Sequence, residues 1–201
     1  MDQLNTVIEN AKTFAETIFA SDSSGHDLAH TLRVCRMAER IAWQEGADVP
    51  LVKLAALLHD VDDHKLSPDT ADTQSRAAAF LQSQKVDKET AETILRIISQ
   101  VSFSRNTQPP ETLEGKCVQD ADRLDAIGAI GIARTFAYGG AHGRSIYTPG
   151  DPGCSIAHFY DKLLLLKDRM NTAAGKALAK ERDHFLHTFL DTFLSEWNDE
   201  R

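Results

Sequence analysis

The chain has 201 residues, of which 42% are hydrophobic and 26% are charged, a composition that suits one globular domain with a substantial core. Its net charge of -8 argues against nucleic acid as the main partner, because proteins that bind a phosphate backbone carry a basic stripe. No apolar run approaches the roughly 18 residues that a membrane-spanning helix needs, so no membrane is expected as a partner.

The cysteine pattern bears on the compartment in which the protein works. The three cysteines, Cys35, Cys117 and Cys154, are widely spaced and form no C-x-x-C pair. Neither a disulfide framework nor a thiolate zinc site is indicated, which favours a reducing environment. The first residues lack the basic and apolar stretches of a signal peptide. We therefore expect a cytoplasmic protein.

Apolar residues recur at helical spacing along the chain, and no stretch alternates as a strand would. This pattern predicts an all-α fold. Local signals mark several helix ends, such as Gly46 after the second helix and Pro50 in the first turn of the third. Asp69 or Thr70 is the expected cap of the fourth. The predicted helices cover residues 3–20, about 26–45, 49–62, 70–84, 87–100, 113–137, 156–168 and 173–197.

One stretch interrupts the helical pattern for longer than an ordinary connection. Residues 138–155 contain five glycines and two prolines, which predicts a long irregular loop. Such a loop either closes over a substrate, with Arg144 reaching a phosphate, or serves as a connector or dimer contact. The sequence leaves both interpretations, and the formation of a homodimer, open.

An apolar run leads directly into a histidine and a carboxylate at the end of the third predicted helix. Residues 54–58 are all apolar, and His59 and Asp60 follow at once. Burial of a carboxylate is costly unless the group is paired or coordinates a metal. His30 on the second helix and one of the carboxylates Asp120, Asp122 and Asp125 on a later one complete a set of two imidazoles and two carboxylates. Such a mixed set suits first-row divalent ions, so we predict a site for one divalent metal.

The order of these residues resembles that of the HD-domain metal-dependent phosphohydrolase superfamily, and in particular its small stand-alone bacterial hydrolases. The similarity covers about residues 20–197. It implies a helical bundle with a metal site between helices, as a single HD domain over residues 1–201. The core would lie at about 20–137, with C-terminal helices 156–197 packed on it. The segments that carry the resemblance are His26-Asp27-x-x-His30-x-x-Arg33-Val34, Ala55-Ala56-Leu57-Leu58-His59-Asp60, Gln119-Asp120-Ala121-Asp122-Arg123-Leu124-Asp125-Ala126-Ile127-Gly128, Arg134-Thr135-Phe136 and His158-Phe159-Tyr160-x-Lys162-Leu163-Leu164.

The resemblance also implies which residues hold the metal. These are His30, His59, Asp60 and Asp122, and the Asp-Arg-Leu-Asp order favours Asp122 over Asp120 as the distal ligand. Manganese is the expected ion, with magnesium, cobalt, iron, nickel and zinc as alternatives. Four protein ligands on an octahedral ion leave positions for water and substrate.

Polar residues near the ligands are candidates for catalysis or for substrate binding. We interpret Asp63 and Lys65 as groups that assist the reaction. An ion pair for Arg33 and a solvated position for Lys65 are the ordinary alternatives. Asp125 either supports Asp122 or pairs with a basic neighbour, and His26 and Asp27 could hold a second ion or substrate. The candidates for substrate binding are Arg33, Lys65, Arg123 and His26.

The resemblance further implies hydrolysis of phosphate esters or anhydrides, often those of nucleotides. We expect metal-assisted attack of water on the phosphorus of a phosphorylated small molecule, with nucleoside triphosphate pyrophosphohydrolysis as one form of the reaction. A nucleotidase, a cyclic-nucleotide phosphodiesterase and a guanosine-tetraphosphate hydrolase are alternatives in the same fold. A non-catalytic HD signalling module is the alternative from another class, although such a module should lose metal ligands and all four are present here.

Overall fold

A computed structural model describes residues 2–20, 27–63, 73–101 and 108–199, with side chains from residue 4 onward. The described residues contain helices and no strand, which confirms the predicted all-α class. The chain forms two compact units, Met1–Asp122 and Arg123–Arg201. The single-domain arrangement stays a prediction. The helices are α1 (Asp2–Phe19), α2 (Leu28–Glu45), α3 (Val49–Leu58), α4 (Ser75–Ser83), α5 (Lys88–Val101), α6 (Leu113–Asp125), α7 (Gly128–Ala141), α8 (Ala157–Asp161) and α9 (Ala173–Trp197).

Helix α3 forms the centre of the first unit. Its residues 54–58 are fully buried, because α3 packs against α1, α2 and α5. Asp48 starts the helix by accepting a hydrogen bond from the amide of Leu51 at 3.0 Å. The helix was expected to reach residue 62 but ends at Leu58. A tighter turn follows, in which the Asp63 amide donates to the Asp60 carbonyl at 3.0 Å.

Helix α2 ends where its local signal predicts, and it begins at Leu28 rather than at about residue 26. The Asp27 carboxylate accepts a hydrogen bond from the amide of His30, an N-cap of the kind that stabilises helix starts. Gly46 ends the helix in the left-handed conformation, with φ of 75°, which glycine adopts at little cost. The expected caps of α4, Asp69 and Thr70, lie outside the described residues, but the predicted start of this helix at residue 70 is wrong, since α4 begins at Ser75.

The predicted continuous helix over residues 113–137 is wrong. It is divided into α6 and α7, because Ile127 is extended and Gly128 has a φ of 73°. The break leaves the hydrophobic pattern in phase on both sides, so periodicity alone does not reveal it. The predicted helix over residues 156–168 is likewise divided. After the short α8, the chain continues as two 3₁₀ turns, Leu163–Leu165 and Lys167–Arg169.

Helix α9 organises the second unit and has the predicted bounds. Thr172 caps it by accepting a hydrogen bond from the amide of Gly175 at 2.9 Å. Aromatic side chains stack along it, with the rings of Phe159 and Phe189 centred 5.6 Å apart. The predicted loop over 138–155 is shorter than expected, since its first four residues complete α7.

No helix among the described residues combines the length and the apolar character that crossing a bilayer requires.

Two glycines of α7 have opposite surroundings and give a matched test of the break before this helix. A Cβ at Gly131 would overlap the backbone carbonyl of Ala126, whereas a Cβ at Gly140 would meet nothing within 4 Å. We expect Gly131→Ala to lower the free energy of unfolding by about 2 kcal/mol or more, because a backbone clash cannot be relieved by rotating a side chain. Gly140→Ala should raise it by about 0.5 kcal/mol.

Urea unfolding of the two variants and the wild type measures both changes. Equal destabilisation by the two substitutions would contradict the close approach of Gly131 to Ala126.

Candidate metal site

His30 occupies the first turn of α2. The Asp27 carboxylate accepts the backbone N–H of His30 at 2.7 Å. This hydrogen bond fixes the start of the helix next to the His30 imidazole. The His30 side chain is 1% exposed. The N-cap that defines the helix start therefore also determines where a buried imidazole enters the first unit.

His59 is held by the last turn of α3. Its Nδ1 lies 2.8 Å from the carbonyl oxygen of Ala56. A carbonyl can only accept, so Nδ1 carries the proton and donates it, and in the neutral imidazole Nε2 is left with its lone pair. That arrangement, with one ring nitrogen fixed by a backbone carbonyl, is the one that metal-ligating histidines adopt.

Two carboxylates meet these imidazoles. Asp60 Oδ2 lies 3.2 Å from His59 Nε2 and 3.4 Å from His30 Nε2. Asp122 Oδ1, from α6, lies 3.5 Å from His30 Nε2. One ligand atom each from His30, His59 and Asp122 fall within 4.8 Å of one another. The four residues singled out by the sequence are therefore brought together inside the first unit.

The donor atoms of this cluster fit a divalent cation. Adjacent ligands of an octahedral ion lie roughly 3 Å apart at usual metal–oxygen and metal–nitrogen distances, close to the spacings that Asp60 makes. Among the described residues, Asp60 Oδ2 lies 3.2 Å from the buried Nε2 of His59 but does not form a well-aligned hydrogen bond with it. A mixed set of two imidazoles and two carboxylates suits manganese, iron, cobalt or zinc better than calcium.

The raised pKa of His59 also favours a cation at this site. Burial alone would lower its pKa, but the Asp60 carboxylate, assisted by Asp122 and by the Ala56 carbonyl, outweighs burial and raises the pKa to about 9. In the metal-free protein the carboxylates therefore draw a proton onto this imidazole at neutral pH. A bound cation would take the place of that proton, because a metal ligand must be deprotonated.

The candidate catalytic and substrate-binding residues have different surroundings. Arg33 and Asp63 are half-buried in the first unit. Arg123 is buried, and its Nη1 donates to the backbone carbonyl of Arg169, which favours a structural role. Lys65 and His26 lie outside the described residues. Their roles stay predictions.

Asp125 is paired rather than free. Its Oδ2 accepts from Arg134 Nη1 at 2.8 Å, so of the two interpretations left open the ion pair with a basic neighbour is the one observed. Asp120 is fully buried on α6. In the second unit, burial and then the positive charges of Lys162 and Arg144 lower the pKa of His158.

Asp62 is a buried residue to which the sequence assigned no role. This carboxylate is 7% exposed and accepts two backbone amides at the start of α4, from Arg76 and Ala77. No local signal could have revealed the contact, because its partners are 14 and 15 residues away. The role of Asp27 as the cap of α2 did have a local signal, an aspartate three residues before a buried helical position.

Comparisons with known proteins identify relatives of this chain. Residues 27–127, which contain all four residues of the cluster, match the HD domain family. The Bacillus subtilis protein YpgQ is 45% identical over 186 residues, which are 90% of this chain and 89% of YpgQ.

Solved structures have the same fold. A crystal structure of Bacillus subtilis YpgQ in complex with ADP aligns with a TM-score of 0.80 and 42% identity, covering 94% of this chain and 96% of that one. A crystal structure of an HD-superfamily hydrolase from Bacillus thuringiensis aligns with a TM-score of 0.79 and 43% identity, covering 97% of this chain and 98% of that one.

The cluster predicts that the purified protein contains stoichiometric divalent metal. Asp60→Ala should weaken metal binding by more than about 100-fold, because it removes a charged group that contacts both imidazoles. Glu39→Ala is the matched control, since Glu39 is a carboxylate of the same unit that pairs with Lys53 at 2.8 Å instead. Elemental analysis and metal titration provide the measurement.

Helix content should be similar in both variants by circular dichroism. Equal metal content in Asp60→Ala and the wild type would show that Asp60 is not a ligand.

Proposed function

The chain belongs to the HD domain family, and we propose that it is a metal-dependent phosphohydrolase acting on a phosphorylated small molecule, in particular a nucleotide. The observation that carries this proposal is the convergence of two imidazoles and two carboxylates in the interior of the first unit. Stability alone does not explain such a cluster, because buried charges are costly when they are not compensated.

We propose that His30, His59, Asp60 and Asp122 hold one divalent ion. The ion would supply Lewis acidity, which makes hydroxide available at neutral pH and draws charge from a phosphoryl oxygen. Asp60 contacts both imidazoles and would orient them toward a common point. The hydrogen bond from His59 Nδ1 to Ala56 keeps Nε2 available. Manganese is the ion that we propose, on the chemistry of this mixed donor set.

The exposure of the cluster supports access by a ligand. The imidazoles of His30 and His59 are almost completely covered, at 1% and 3%. The carboxylates are more open, with side-chain exposures of 13% for Asp60 and 25% for Asp122. The carboxylate side of the cluster is therefore the side from which we expect water and a phosphate to approach the ion.

Two observations favour a nucleotide among phosphorylated molecules. The YpgQ structure contains ADP, and that protein aligns with nearly the whole of this chain. The net charge of -8 disfavours a long polyanion, whereas a small phosphate ester can rely on the ion for its local positive charge. Nucleoside triphosphate pyrophosphohydrolysis is the form of the reaction that we propose.

A substrate screen tests the proposal. We expect hydrolysis of nucleoside triphosphates with Mn²⁺, release of pyrophosphate, and loss of turnover when a chelator removes the ion. Mono- and diphosphates, a cyclic nucleotide and guanosine tetraphosphate should be included, with Mg²⁺ and Co²⁺ as alternative ions. Chromatography of the products distinguishes phosphate from pyrophosphate.

The matched variants are Asp122→Ala and Glu39→Ala. The first should lower kcat/KM by at least about 100-fold while the helix content is kept, because it removes a proposed ligand. The second should leave kcat/KM unchanged. Release of phosphate from monophosphates would identify a nucleotidase instead. Stoichiometric metal without turnover of any substrate would favour a non-catalytic HD module.

A further inference from the structure

The first turn of α4 is capped by a side chain from another segment of the chain. Helices α2, α3 and α5 are each capped by an aspartate three residues before the amide that it accepts, at positions 27, 48 and 87. Gln74 precedes α4 and makes no such side-chain bond. The Asp62 carboxylate accepts the first-turn amides instead, Arg76 N–H at 3.2 Å and Ala77 N–H at 2.9 Å. This helix therefore depends on a residue of another segment for its cap.

The backbone just before α4 needs such support. Gln74 has φ of 51° and ψ of 35°, a left-handed conformation that costs energy for any residue with a Cβ. A strained conformation of this kind persists only where the surrounding contacts enforce it. The two hydrogen bonds to Asp62 begin two residues later, and they tie the start of α4 to another part of the chain. A carboxylate at a helix N-terminus is also favoured by the helix dipole.

The same carboxylate belongs to the turn that carries the proposed metal ligands. Asp62 follows Asp60 by two residues, and Val61 between them is fully buried. Asp60 in turn contacts both imidazoles of the cluster. A displacement of Asp62 thus moves a short, packed turn whose other end supplies His59 and Asp60. The turn is bound at one end by the cluster and at the other by α4.

We propose that Asp62 is a positioning residue that couples metal binding in the His59–Asp60 turn to the stability of the α4 N-terminus. The inference rests on the proposed metal site. Binding of the ion fixes the turn and so presents the Asp62 carboxylate to the amides of α4. By thermodynamic linkage, a well-formed α4 must strengthen metal binding by the same factor. Asp62 is not one of the four proposed ligands of the ion.

Hydrogen exchange of the full-length protein, with and without Mn²⁺, tests the coupling. In the wild type, Mn²⁺ should slow exchange of the Arg76 and Ala77 amides roughly three- to tenfold, the range expected when a helix cap is made firmer. Asp62→Asn keeps the size of the side chain but loses the charge and one acceptor oxygen. This variant should lose most of the Mn²⁺-dependent slowing and bind Mn²⁺ several-fold more weakly.

Asp87→Asn is the matched control. Asp87 caps α5 through the amide of Thr90 at 3.0 Å in the same unit but lies outside the metal turn. It should speed exchange at the start of α5 while leaving Mn²⁺ affinity, and the Mn²⁺ effect on α4, as in the wild type. Asp62→Glu is a second variant, since it restores the charge on a longer arm and should recover part of the Mn²⁺ effect.

The outcomes separate the two proposals. If Asp62→Asn only lowers the melting temperature, with Mn²⁺ affinity and the slowing of α4 exchange as in the wild type, Asp62 is a structural cap and the coupling is overturned. That result leaves the proposed function standing. If the wild type binds no divalent ion, both proposals fail together.

Discussion

Burial of two imidazoles against two carboxylates is the constraint on which the first unit depends. Asp60 lies within 3.4 Å of both Nε2 atoms, in surroundings where an uncompensated negative charge would be costly. The charge can be balanced by a proton on His59 or by a cation between the ligands. Helices α2, α3 and α6 each deliver one part of the cluster. The apolar run of α3, residues 54–58, is fully buried and leads directly into the turn in which His59 and Asp60 lie.

Elements with local end signals were predictable from the sequence, and elements that end for tertiary reasons were not. Gly46 marks the end of α2, and α9 begins and ends where the apolar pattern indicates. The break at Ile127 and Gly128 was not predicted, because the helical spacing of apolar residues continues across it. Lys162, with φ of -139°, likewise ends α8 although the apolar pattern continues into the leucines that follow it. Periodicity identifies which side of a helix is buried, not where its axis changes direction.

The candidate site was likewise predictable only in part. The resemblance of the residue order to the HD superfamily selected His30, His59, Asp60 and Asp122, and the structure brings these four together. The contacts made by the neighbouring charged residues were not predictable. Arg123 donates to a carbonyl 46 residues away, and Asp62 accepts amides beyond an intervening segment. Such bonds depend on where distant backbone atoms meet, and a single sequence contains no local record of that.

The bond between His59 and the Ala56 carbonyl has a consequence for variation at this position in evolution. The acceptor is a main-chain atom, so every amino acid that is compatible with the helix would present the same oxygen. The tautomer of His59 is therefore insensitive to the identity of residue 56. The size of that side chain is instead limited by packing, because Ala56 is fully buried. Natural variants at this position can change the volume of the core around α3 while Nδ1 of the buried imidazole keeps its proton.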